Sequence, residues 1–334
     1  MMGLVAHSRL PAFRTMREEG VTLARRGDVA DPDHDTVSVG LLNLMPDAAI
    51  RATDRQFIRL VAAAANELEL WVYPFTVAAF SRGKQARRHV SAFYSTFDDI
   101  RDTGLDALIV TGANPAQHEL EREAFWDELG EVLDWAQKET TSILCSCLAT
   151  HAVLQKYRNT VRTRLPEKMW GVYQHEIVQD HWLLEGLTGP VEAPHSHWYD
   201  VTRKEMEAIG LEVLIEGEDA GVHMAVDEDD FYVFFQGHPE YDLVSLLKEY
   251  RRELGRYWRG EREDYPPLPA HYFEEEAMAK LEDYRPSFEE AKSNGKQPPL
   301  LAESELLPKR QHRWNEQGKV IYRNWLRGVA SKSP

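Results

Sequence analysis

The chain has 334 residues, with 55 acidic against 39 basic side chains and a formal net charge of −16, so it is long enough for one large α/β domain or two modest ones, and it repels nucleic acid and anionic membranes at long range. No window approaches the ~20 uninterrupted apolar residues of a membrane-spanning helix, and "MMGLVAHSRLPAFRTMREEG" lacks a signal peptide's apolar centre, so a cytoplasmic protein is expected. The 2 cysteines, Cys145 and Cys147, stand too close together for a disulfide framework and do not match structural zinc spacing, so no metal is expected.

Residues 1–35 are charged and weakly patterned and end in "DVADPDHD", which reads as a surface arm; His34 there sits in turn spacing and is assigned no metal. Buried-strand patterns follow at "VSVGLLNL" (37–44), "LELWVYPF" (68–75), "DALIVTG" (106–112) and "TSILCS" (141–146). Between them, at 53–68, 92–101 and 122–138, apolar residues recur every three or four positions, as on amphipathic helices. This alternation predicts an α/β fold: a doubly wound, mostly parallel sheet joined by right-handed crossovers and flanked by helices. "LATHAVLQKY" (148–157) reads as a helix leaving the fourth strand. Farther on, "EVLIEGE", "GVHMAVD" and "DFYVFFQG", around an acidic "DEDD" turn, predict an antiparallel extension of the sheet. Helical periodicity returns at 241–258 and again at 319–330, after a proline-rich loop and a charged tract. Three regions result: an N-terminal arm (1–35), a main domain (36–260) and a C-terminal extension (261–334) docked on it, with Trp314, Tyr322 and Trp325 assigned mainly to that docking.

Ligands of open α/β sheets gather beyond the carboxyl ends of the strands. Cys147 falls there, in the turn before a helix, where aligned amides favour a thiolate and can hold an oxyanion. Cys145 lies two residues deeper and is assigned to the core. Taken alone, either thiol also fits core filling, because free cysteine is among the most buried residue types. A second strand end, "FFQGHPEYD" (234–242), adds His238 and Glu240, the residue types of a base and its orienting carboxylate. A spatial Cys147–His238–Glu240 triad explains both segments together.

"NLMP" (43–46), "TGA" (111–113), the cysteine-centred junction, "EKMWGVYQH" (167–175), "APHS" (193–196) and "GHPEYD" (237–242) occur in an order that resembles the homoserine O-acyltransferase family of methionine biosynthesis. The resemblance is to its homoserine O-succinyltransferase type, related to class I glutamine amidotransferases, and runs from residue 35 to "NWL" at 324–326. It implies a class I amidotransferase-like catalytic domain, a homodimer, and a ping-pong reaction with succinyl-CoA as co-substrate and no cofactor or metal. It further implies that Cys147 takes the acyl group as a thioester, that His238 deprotonates first the thiol and then the γ-hydroxyl of L-homoserine, and that Glu240 is the partner of His238. Lys168, Ser196 and Arg252 fall where the family places substrate contacts. Arg252 suits a bidentate grip on a carboxylate, and Glu249, one turn earlier, suits an ammonium. Read singly, these four residues also fit surface charges and a turn former.

The position of Ala116 in "TGANPA" goes in the family with donor choice, glycine with succinyl and glutamate with acetyl; the small Ala116 implies succinyl-CoA. The chain departs from the family at Leu148, where tryptophan is frequent, at Thr150-His151, at Asn114-Pro115, and in "DAAIRATDRQ", which lacks the usual lysines. The basic run "RGKQARRH" (82–89) is read as a solvated loop in preference to a site for the coenzyme A phosphates, and "EDYRPSFEEAKSNGK" (282–296) as surface. The competing readings are acetyl-CoA as donor; serine as acceptor, one methylene shorter and worth about 1–3 kcal/mol in a fitted pocket; a glutaminase or hydrolase; and a binding module with a structural thiol. Ser146-Cys147-Leu148 lacks the flanking glycines of amidotransferase elbows, which counts against the hydrolase.

Overall fold

The computed structural model describes residues 2–25, 36–309 and 311–332; His34 lies outside them. The chain begins with β1 (Gly3–Ala6), α1 (Pro11–Glu18) and β2 (Leu23–Arg25). The main alternation follows as β3 (Thr36–Leu42), α2 (Ile50–Val61), β4 (Glu69–Phe75), α3 (Lys84–Phe93), α4 (Phe97–Thr103), β5 (Ala107–Val110), α5 (Trp126–Glu139), β6 (Ser142–Ser146) and α6 (Leu148–Arg158). Then come β7 (Thr163–Ile177), β8 (Val191–Asp200), α7 (Arg203–Ala208), β9 (Glu212–Gly217), β10 (Gly221–Val226) and β11 (Tyr232–Phe235). Three helices close the chain: α8 (Ser245–Trp258), α9 (Glu275–Ser293) and α10 (Arg313–Lys332).

Among the described residues, 11 strands form one sheet in the order β2-β1-β4-β3-β5-β6-β11-β10-β9-β7-β8. Pairing is parallel from β2 to β11 and antiparallel from β11 to β8. The doubly wound sheet and its antiparallel extension are therefore as expected, but β7 and β8 make the extension larger. Their segments carry charged and half-exposed residues along much of β7, which hid the strand period. The helix expected over 92–101 is two helices, because Thr96 and Asp99 form a reciprocal capping box that starts α4 afresh.

The segment expected as a surface arm is corrected by its pairing. β1 adds to the edge of β4, and α1 buries Ala12, Phe13 and Met16 over the same apolar layer that holds Val39 and Phe57. Charged residues on the other face of α1 masked this short stripe.

Two apolar layers sandwich the sheet, one around Leu41, Ile58 and Trp325, the other around Val110, Leu133 and Cys145. A third cluster of Trp170, Tyr250, Phe273, Leu281 and Trp314 joins α8, α9 and the C-terminal segment to β7. Trp314, Tyr322 and Trp325 are each 1% exposed, so they dock within their own chain as expected, and the Trp325 indole donates to Ser142 Oγ at 2.9 Å. Cys145 is fully buried, as expected for a core residue, and burial pushes its thiol pKa far up. No helix among the described residues is long and apolar enough to cross a membrane.

β3 is flanked by β4 on one side and β5 on the other, so the winding reverses there and a crevice opens at the carboxyl edge. The segments leaving β3, β5, β6 and β11 line this edge. They carry "NLMP", "TGA", Cys147 and "GHPE".

Candidate active site

Cys147 joins β6 to α6 with φ 52° and ψ −106°, a left-handed conformation that costs a non-glycine residue about 1–3 kcal/mol and persists only where its surroundings impose it. Its amide donates to Phe235 O at 2.7 Å, which ties the elbow to the end of β11. The thiol is partly exposed, and the Gln236 amide lies 3.8 Å from Sγ.

His238 follows β11 by three residues. Its amide donates to Pro194 O at 2.8 Å, its Nδ1–H donates to Glu240 Oε1 at 2.7 Å, and its side chain interacts with Cys147. With Nδ1 committed to the carboxylate, Nε2 is the nitrogen available to sulfur. Both members of the pair are under one-tenth exposed. Burial pulls the imidazole pKa down, but the Glu240 charge and the contact with Cys147 override it and hold the group well above its ordinary value. The three residues expected to form a triad are thus brought into one line.

Tyr241 extends this line into a second cluster. Its ring stacks on His238 with centroids 4.3 Å apart, and its hydroxyl donates to Glu249 Oε1 at 2.8 Å. The other carboxylate oxygen accepts from Ser196 Oγ at 2.6 Å, Trp170 Nε1 at 2.9 Å and Lys168 Nζ at 3.3 Å. Burial alone would raise the Glu249 pKa, yet Lys168 and the hydroxyl donors hold it below the usual value. Lys168 is shifted downward, because its burial outweighs the support from Glu249. Lys168, Ser196 and Glu249 are therefore gathered beside the triad.

Arg252 is not drawn into that hydrogen-bonded cluster. Its side chain is 51% exposed and its closest ion pair is with Glu253 at 3.5 Å, although its charge acts on Glu249. Ala116 is exposed on the loop after β5.

The run 82–89 needs correction. Arg82 is 7% exposed and donates to Met45 O at 2.9 Å, and His89, 2% exposed, meets Asp54 at 2.7 Å, so both brace the "NLMP" loop in place of facing solvent. Asn43 completes the brace, donating to Ile50 O at 3.0 Å and Asp54 Oδ1 at 2.9 Å. Lys84, Arg87 and Arg88 are the exposed cations of the run.

Sequence reasoning missed Tyr241 and Trp170, whose roles depend on converging segments, although both lie inside quoted motifs. It also missed Arg162. That guanidinium is 6% exposed, stacks 3.8 Å from the Tyr199 ring centroid, donates to His118 O at 3.3 Å and interacts electrostatically with Cys147. Nothing in "TVRTR" marks it. Nor did the sequence reveal that His175, His195 and His223 converge below the site.

The base and its carboxylate are held from the far side by the C-terminal segment. Trp314 Nε1 and His312 Nε2 reach Tyr241 O at 2.8 and 2.7 Å, and Asn315 Nδ2 donates to Pro239 O at 3.3 Å.

A family profile described as homoserine O-succinyltransferase matches residues 3–334. The homoserine O-succinyltransferase of Methylococcus capsulatus is 49% identical over 327 residues, covering 97% of this chain and 92% of that protein. That of Thiothrix nivea is 47% identical, covering 97% and 91%. A solved glutamine amido transferase from Methylobacillus flagellatus aligns over 88% of this chain and 95% of its own at 15% identity, with a TM-score of 0.48, too low to bear on function.

Proposed function

The chain belongs to the homoserine O-succinyltransferase family, and from that premise we propose that Cys147, His238 and Glu240 carry succinyl transfer by a ping-pong route. The reaction moves the succinyl group of succinyl-CoA to the hydroxyl of L-homoserine. In the first half, the Cys147 thiolate attacks the thioester carbonyl, the first-turn amides of α6, which have no intrahelical partner, face the oxyanion, and His238 returns its proton to the departing coenzyme A sulfur. Acylation removes the negative sulfur that supports the imidazolium, so the His238 pKa falls just when a base is needed. The neutral imidazole then takes the homoserine hydroxyl proton, and collapse of the second tetrahedral adduct releases O-succinylhomoserine and restores the thiol.

Homoserine is a zwitterion. Glu249 receives its ammonium, Arg252 its carboxylate, and Lys168 and Ser196 keep Glu249 ionised and oriented. Ala116 leaves the donor loop without the negative side chain that would repel a succinyl carboxylate. In this reading the chemistry needs no cofactor beyond succinyl-CoA as co-substrate, and the enzyme works as a cytoplasmic homodimer whose catalytic domain is residues 36–260.

The observation that carries the proposal is the line from Glu240 through His238 to Cys147. Incubation with succinyl-CoA alone should add one succinyl mass to the wild-type chain and none to Cys147→Ala, read by intact-protein mass spectrometry. Full turnover by Cys147→Ala ends the proposal. The ratio of kcat/KM for succinyl- and acetyl-CoA tests the donor choice, and light scattering tests the dimer.

A further inference from the structure

Beyond the reacting groups, β7, β8 and β10 bring His175, His195 and His223 together, all buried, with one ring nitrogen of each within 4.8 Å of the others. His195 Nε2 and His175 Nε2 are 3.1 Å apart. The β9–β10 register slips between Val222 and Met224, and this bulge sets the direction of His223. His223 Nδ1 has no hydrogen-bond partner although the residue is 1% exposed. A Cβ built on Gly237 would lie 2.7 Å from that nitrogen and 2.8 Å from His195 Nε2, so the glycine before His238 keeps both nitrogens free of side-chain contact on this flank.

Counting protons shows that hydrogen bonds alone do not satisfy this chain of rings. His197 Nδ1 faces Tyr199 O at 2.8 Å and His175 Nδ1 faces Val191 O at 3.2 Å, and a carbonyl can only accept. Between those ends, His197 Nε2 meets His195 Nδ1 at 3.0 Å, and His195 Nε2 meets His175 Nε2. The four links require four protons, whereas three neutral imidazoles bring three. With His197 Nδ1–H and His195 Nδ1–H placed by their acceptors, and His175 Nδ1–H by Val191 O, the lone pairs of His195 Nε2 and His175 Nε2 confront each other beside the unpartnered His223 Nδ1. A cation at that point resolves the deficit.

We propose that His175, His195 and His223 form a binding site for one divalent transition metal ion of the zinc and cobalt class, a structural site separate from the acyl-transfer groups. Three neutral imidazoles suit such an ion, with nitrogens about 2.0–2.1 Å from the metal, and the Val191 carbonyl on the outer nitrogen of His175 is the usual orienting partner for a ligating histidine. Burial supports the assignment by keeping all three rings in the uncharged, ligating form. A bound ion would fix β8 and β10 on either side of residue 237. It would thereby steady the backbone that presents His238, whose amide is held by Pro194 O, next to His195.

The test uses the untagged full chain, produced in cobalt-supplemented medium and, separately, stripped with chelator and titrated with Co2+. One cobalt per chain, visible d–d absorption of a tetrahedral nitrogen site, its bleaching by Zn2+, and a raised Tm in the loaded protein are expected. His223→Phe and Gly237→Ala should each lose the absorption while keeping the far-ultraviolet circular dichroism of the wild type; Gly237→Ala retains every histidine and blocks the approach. Metal content at the buffer level in the wild type overturns the proposal, as does equal cobalt absorption in the wild type and in both variants. If a variant fails to fold, the wild type decides through metal content and the Tm shift.

Discussion

Two groups of histidines lie close together in this molecule, equally hidden from water and opposite in charge tendency. His238 is held well above the ordinary imidazole value by Glu240 and Cys147, whereas His175 is pushed down to about 4 by burial, and His195 and His223 are pushed well below the ordinary value by burial and the repulsion of neighbouring rings. Burial acts downward on all four. The presence or absence of an anionic partner decides the outcome. Whether a buried imidazole here holds a proton or stays neutral therefore depends on one carboxylate.

Substitutions can break this contrast. The largest effect belongs to His238→Ala, which leaves Cys147 without its base and should lower kcat/KM by about 10³–10⁴-fold, with the acylation burst lost in stopped-flow mass analysis. A normal burst would remove the base assignment. Glu240→Gln comes next, with a loss of about 10²–10⁴-fold, because the amide can impose the wrong imidazole tautomer. Without the carboxylate charge the His238 pKa falls, so the rising limb of the pH profile for homoserine should move to lower pH; an unmoved limb would show that Glu240 is not the source of the shift.

Glu249→Gln sharpens the comparison from the substrate side. Its charge is buried and compensated, and its loss should raise the KM for homoserine about 10–100-fold while the succinyl burst stays intact. Equal damage to both half-reactions would make Glu249 a structural residue only. The smallest expected effect is at Asp200, an acid that, like the neutral imidazoles, has burial without a cation. Burial first, then the Glu205 and Glu216 charges, raise its pKa to about 6. Because the folded value exceeds the unfolded one, stability is lost as pH rises from about 4 to 6, so Asp200→Asn should stabilise by about 1–2 kcal/mol at pH 8 and by nothing near pH 4. Urea unfolding at the two pH values measures this directly.

The parallel core was legible because β3, β4, β5 and β6 are largely apolar runs between amphipathic helices, and the convergence of Cys147, His238 and Glu240 because these residues sit at strand ends. What escaped has a common physical cause. β7 buries only part of its length, α1 hides a short apolar stripe under charges, and Arg82, Arg162 and Tyr241 take their roles from partners far away in sequence. The convergence of His175, His195 and His223 depends on a bulge and on an eleven-strand order that no local period encodes. Arg252, one turn after Glu249, stays half-exposed beside Glu253 while its charge acts on Glu249.

The grip of Trp314, His312 and Asn315 on residues 239–241 also bears on how the enzyme is made. These anchors are translated after every strand of the sheet, so a nascent chain can fold its thiol-bearing elbow while the segment that supplies the carboxylate still lacks its support. In a chain emerging from the ribosome, residues 239–241 are thus the last part of this strand end to gain their hydrogen-bonded support.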